Sequence, residues 1–148
     1  MATNVDRPNG FKPVGNLLGG SFTGQVRKYY SDGDNLFLGD IVIKDSGALA
    51  NPSGDGAYPA CARMSNGATD VPLGVVVGWE RNPTSLENLY HPASATYCVY
   101  VNDDPFTIYE AQTDGLNSAL TVANVGINAD VTIGAGSTTS GASGMEIA

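Results

Sequence analysis

The sequence predicts an all-β domain, a small β-barrel or jelly-roll-like sandwich with an extended N-terminal arm. Three observations carry that expectation. Apolar residues come in short stretches broken by Gly, Asn, Asp and Pro, and not at sustained helical spacing. Gly 19 and Pro 8 together exceed ordinary usage and favour turns over long helices. Charged residues make up only 15% of the chain against a usual level of about 25%, so Ser, Thr, Asn and backbone must supply much of the polar surface. A chain of 148 residues suits one core, burying roughly 68–70% of its unfolded surface, and a second independent domain is not expected.

Residues 1–20 contain Pro8, Gly10, Pro13, Gly15 and Gly19-Gly20 and show neither period, which predicts an extended arm. Phe11, Val14, Leu17 and Leu18 would be wasted in solvent, so the arm is expected to dock. The β domain spans residues 21–133. Phe22, Val26 and Tyr30 share one face of a first strand, and Ser31 to Asn35 form a turn. Leu36 to Lys44 is a strand with a bulge or kink at Gly39-Asp40, followed by a long surface loop over Asp45 to Ala57. Ala57 to Met64 and Leu73 to Glu80 are the next two strands. The β-branched run Val75-Val76-Val77 places the second in mid-sheet with both faces covered. Thr96 to Val101 and Phe106 to Ala111 flank Asn102-Asp103-Asp104-Pro105 and predict a hairpin. Leu116 to Val125, with Asn117 and Thr121 as caps and Gly126 as a stop, predicts one short helix, and Asp130 to Ile133 a last strand. Residues 134–148 read as a flexible Gly/Ser/Thr-rich tail whose apolar end could add a strand to a neighbour.

Charge is unevenly placed. Residues 1–30 carry Arg7, Lys12, Arg27 and Lys28 against Asp6, a net of +3; with −8 for the whole chain, the remainder holds −11. No Lys or Arg follows Arg81. Nucleic-acid binding needs clustered cations to displace counterions, and the acidic body disfavours both nucleic acid and anionic membranes. No run reaches the roughly 20 apolar residues of a membrane span. The N-terminus lacks the basic and apolar regions of a signal peptide, which predicts a protein made and used without standard export.

Reactive constellations are sparse. Cys61 and Cys98 sit in apolar stretches and read as buried free thiols. His91 has no Gly-x-Ser-x-Gly partner and reads as structural; a Cys98–His91 dyad would need tertiary proximity, and apolar surroundings would raise the thiol's pKa. Asp103 and Asp104 are adjacent, so they point apart and suit a turn. Asp32, Asp34 and Asn35 lack the remaining ligands of a calcium loop. Gly134-Ala135-Gly136 lacks the third glycine of a dinucleotide motif. Trp79 with Tyr90 or Tyr58 could form a sugar platform, although core or interface packing is the plainer expectation. Neither metal, cofactor nor catalytic residue is expected.

Three stretches together carry a family resemblance: Asn4 to Phe11 with Pro13-Val14-Gly15, Pro72 to Gly78, and Gly134 to Thr139 with Ser143 to Glu146. They resemble small head proteins of tailed bacteriophages, in the class of capsid cement or decoration proteins. The resemblance implies a non-enzymatic virion structural protein, assembled in the host cytoplasm, that adds to the capsid exterior. Its implied partner is the major capsid protein, whose neighbouring subunits it would bridge as a trimer or dimer. The charge split motivates Arg7, Phe11, Lys12, Arg27 and Lys28 as residues contacting capsid or a neighbouring copy. A carbohydrate- or receptor-binding β module of a phage particle is the alternative.

Overall fold

A computed structural model describes residues 6–31, 33–47, 49–50, 54–82, 85–115 and 120–148, and among these described residues nine short strands and one 3-10 turn make up the regular structure. The strands are β1 (Lys12–Asn16), β2 (Arg27–Ser31), β3 (Ile41–Lys44), β4 (Ala60–Arg63), β5 (Pro72–Trp79), β6 (Val99–Asn102), β7 (Thr107–Glu110), β8 (Val131–Thr132) and β9 (Glu146–Ile147). Five of them close into a barrel in the order β2-β4-β3-β5-β6, with β6 returning to β2. The β2–β4 pair is parallel and the other barrel pairs are antiparallel. Two separate ribbons, β1–β7 and β8–β9, complete the fold. The chain is all-β, as its composition predicted.

Alternation along the barrel strands gives the molecule two cores. Inside, Tyr29, Val42, Cys61, Val76, Val99 and Val101 pack together with Leu36. Outside, Ile41, Val75, Met64 and Met145 form a second cluster, covered by Phe11, Tyr109, Val131 and Ile133. The neighbours Ile41 and Val42 therefore serve opposite sides of one strand, as do Val75 and Val76. That accounts for the continuous apolar run of β5, which needs both its faces covered. Gly39, at φ 88°, makes the expected kink before β3.

One buried polar hub ties the layers together. Asp40 is completely buried and accepts from Arg63 Nε (2.8 Å) and Nη2 (3.1 Å), from the Ser143 hydroxyl (2.6 Å) and from the Phe37 amide (3.0 Å). Arg63 Nη2 also donates to the Gly134 carbonyl at 2.7 Å. A buried carboxylate persists only with such compensation.

Four expectations need correction. The hairpin over Thr96 to Ala111 does not form. Both edges of β6 are taken by β2 and β5, so β7 leaves the barrel and pairs with β1. Asn102-Asp103-Asp104-Pro105 still redirects the chain, with the Asp104 amide donating to Asn102 Oδ1 and the Phe106 amide to Asp104 Oδ1. Residues 134–148 are not a flexible tail, since Gly141 and residues 143–146 are buried and β9 pairs with β8 of the same chain. Its small residues let backbones meet: a Cβ on Gly134 would overlap the Gly144 carbonyl oxygen. The strand expected from Phe22 begins only at Arg27, as β2, after Gly24 takes a left-handed φ of 78° that extended pairing does not accommodate. Within residues 120–125 the expected helix is only the turn Val122–Asn124, whose residues are all exposed and have no core to pack against. Asp32, Ala48 and residues 1–5, 51–53 and 116–119, on which parts of the arm, turn, loop and helix were expected, lie outside the described residues. Among the described residues no helix is long and apolar enough to cross a membrane.

Candidate functional site

The predicted arm folds back as strand β1. Its register against β7 sets Lys12 opposite Glu110 and Asn16 opposite Thr107, with a bulge at Val14. The Phe11 amide donates to the Gly39 carbonyl (2.9 Å), and the Leu17 amide to the Phe106 carbonyl (2.8 Å), so both ends of the strand are anchored. Leu38 projects beside it, held by backbone bonds to Gly141 and Ser143. Between these elements lies an open cleft of about 390 Å³, with Phe11, Pro13, Phe22, Leu38, Val76 and Val77 as its apolar lining. Lys12 is its one cationic group; Asn9 and Ser140 add polar edges. Such a lining suits an apolar side chain carried by an extended segment, with Lys12 placed to meet a carboxylate next to it.

Apolar exposure continues from the cleft along the ribbon. Val14, Leu17, Leu18, Phe106 and Ile108 range from 41% (Ile108) to 76% (Leu18) exposed. Single exposed apolar residues are unremarkable, but five on one two-stranded element and its flanks form a candidate contact surface.

The five residues predicted for contact separate into two groups. Phe11 and Lys12 line the cleft, and Arg7 is exposed on the same arm, where its amide donates to Gln112 Oε1 (3.2 Å). Arg27 and Lys28 lie on β2 and do not line it. Arg27 is largely exposed and pairs loosely with Asp103 at 3.4 Å. Lys28 is held by Glu80 (2.6 Å) and Asp55 (2.8 Å), with the Tyr58 ring 5.3 Å from its ammonium. Hydrogen bonds from Lys28 to the two carboxylates raise its pKa above the usual lysine value. Lys28 is thus committed within the fold. Sequence reasoning missed Phe22, Leu38 and Val76 as cleft residues. Only tertiary placement, with Leu38 swung outward at the Gly39 kink, brings them to β1.

The other candidate chemistries dissolve into packing. Cys98 is fully buried and His91 is 1% exposed, which leaves a substrate no direct approach to that pair. His91 Nε2 donates to the Tyr97 carbonyl (2.9 Å), which only accepts, so Nε2 carries the proton. Burial pushes the imidazole pKa below its usual value. Cys61 is a buried thiol whose pKa burial raises to about 12. Asp34 accepts from the Arg63 amide and Asn35 from the Ala93 amide, so both serve the fold. Among the described residues no group of three His, Cys, Asp or Glu could hold a metal ion. Trp79 packs on the inner core, Tyr90 stacks on Phe37 and Tyr58 covers Lys28, so the three rings form no shared platform. Compared with protein-family models, curated proteins and solved structures, the chain matches none of them.

Proposed function

We propose that this is a virion structural protein that binds the outer surface of a phage capsid and stabilises contacts between major capsid subunits. The observation that carries this reading is the apolar ribbon beside the cleft: five exposed apolar side chains on β1, β7 and their flanks, next to a pocket lined by Phe11 and Lys12. The sequence resemblance to cement proteins points the same way. Cementing requires affinity and no reaction, and weak contacts repeated over a lattice multiply because each further engagement becomes intramolecular. On this reading Arg7 and Lys12 meet acidic groups of the capsid subunit, while Leu17 and Leu18 are buried against it. No cofactor is called for, and a dimer or trimer would set the spacing between contacts.

The test is particle binding. Added to expanded capsids lacking the protein, the wild-type chain should bind in fixed proportion to the capsid subunit. The double variant Leu17→Asp/Leu18→Asp should fold normally and fail to bind. Full binding by that variant would remove the ribbon from the reading, and absence of wild-type binding would end it.

A further inference from the structure

A second apolar surface lies on the segment between β7 and β8. Every residue from 120 to 130 is exposed, and Leu120, Val122, Val125 and Ile127 are 54%, 89%, 80% and 62% exposed. Residues 115–129 contain no charged side chain, although the whole chain carries −8. Beside these residues opens a groove of about 640 Å³, with Leu120, Val125, Ile127 and Ile147 among its walls. Val122 does not line the groove and stands out next to it.

We propose that this segment is a self-association surface, in which two copies meet about a twofold axis and Val122 of each enters the groove of the other. Two features of the patch select this occupant. First, projection and cavity sit side by side on one short segment, which is the self-complementarity that a twofold contact requires. Second, a copy with the same net negative charge is repelled everywhere except where the surface is uncharged, and this is such a surface. A strongly charged partner would find little here to pair with, since Asp130 is the one ionisable side chain among the groove's walls. A Val, Leu or Ile side chain offers roughly 60–120 Å² of apolar surface, so the eight of a pair give on the order of 500–1,000 Å², below the ~1,200 Å² of standard interfaces. The pair is therefore weak and concentration-dependent. The groove shares no lining residue with the cleft beside the β1–β7 ribbon, so the proposal stands or falls apart from capsid binding.

Sedimentation velocity of the full chain over a wide concentration range tests the proposal. The wild type should shift from monomer to dimer as concentration rises, and more readily at high salt, which screens the repulsion between copies. Val122→Asp/Val125→Asp should raise the dissociation constant by about tenfold or more. Both side chains are exposed, so its circular dichroism and melting temperature should match the wild type, and a second variant, Val122→Ser, should weaken the pair without adding charge. A wild type that stays monomeric at every concentration overturns the proposal, as does dimerisation unchanged in both variants. Binding of the monomeric wild type to lipid vesicles, lost in the Asp variant, would assign the patch to a membrane surface and overturn it equally.

Discussion

In the barrel each strand has two neighbours, and Val42, Cys61, Val99 and Val101 are completely buried; in the β1–β7 ribbon each strand has one neighbour and Val14 and Ile108 remain about half exposed. Antiparallel pairing holds the ribbon and every barrel pair except β2–β4. Closure makes the difference, because a barrel has no free edge and an enclosed lumen, whereas an isolated two-stranded ribbon is marginal by itself. The ribbon persists because Phe11 and Tyr109 pack on the outer core, and it keeps its remaining apolar side chains outward. Burial and apolar exposure are thus divided between different parts of one small chain.

That division can be broken from the barrel side first. Asp40→Ala should cost about 3–5 kcal/mol, because it leaves the Arg63 guanidinium, the Ser143 hydroxyl and the Phe37 amide without their buried acceptor. Denaturant unfolding would check it, and a cost below ~1 kcal/mol would mean that the hub does not join the layers. Met145→Ala removes a fully buried side chain from the outer core and should cost about 2–5 kcal/mol, read as a lowered melting temperature.

Acidity gives a smaller effect. The folded state depresses the His91 pKa below 6.5, so above that pH neither state gains a proton there. As pH falls below 6.5 the unfolded chain takes up the proton first, and stability declines. His91→Asn should flatten that part of the stability profile. Glu146 has the opposite sign: burial, with Asp6 and Asp114 nearby, raises its pKa, and its Oε1 is buried without a hydrogen-bond partner. Its ionisation therefore weakens the fold as pH rises through the raised value, and Glu146→Gln should lift the melting temperature slightly at neutral pH. Least of all, Leu17→Asp/Leu18→Asp should change stability by about 0.5 kcal/mol or less while removing particle attachment. A large loss of stability would show that the ribbon is structural after all.

The sequence made the barrel's own strands readable where local chemistry and tertiary need agree. The Val75-Val76-Val77 run names a strand covered on both sides, and Gly39-Asp40 names a kink. It concealed the partners. Nothing in Val99 to Glu110 reveals that β6 already has both edges filled, so a good turn sequence suggested a hairpin that the barrel forbids. The C-terminal region misled for a related reason: Gly134 and Gly144 are small because two backbones touch there, and composition alone cannot distinguish that need from slackness. At the cleft, Phe11 and Lys12 were legible as an apolar residue and a cation on a segment without its own period. Leu38 and Val76 belong to other elements and join them only in space.

The hub at Asp40 also orders events during synthesis. Asp40 and Arg63 emerge from the ribosome well before Ser143 and Met145, which lie 103 and 104 residues beyond their partners Asp40 and Ile41. Until the last of these appears, the nascent chain holds a half-satisfied carboxylate and an uncovered outer layer. A chain that stops short of Met145 therefore presents an open seam, the kind of uncovered apolar surface by which proteases and chaperones distinguish unfinished molecules.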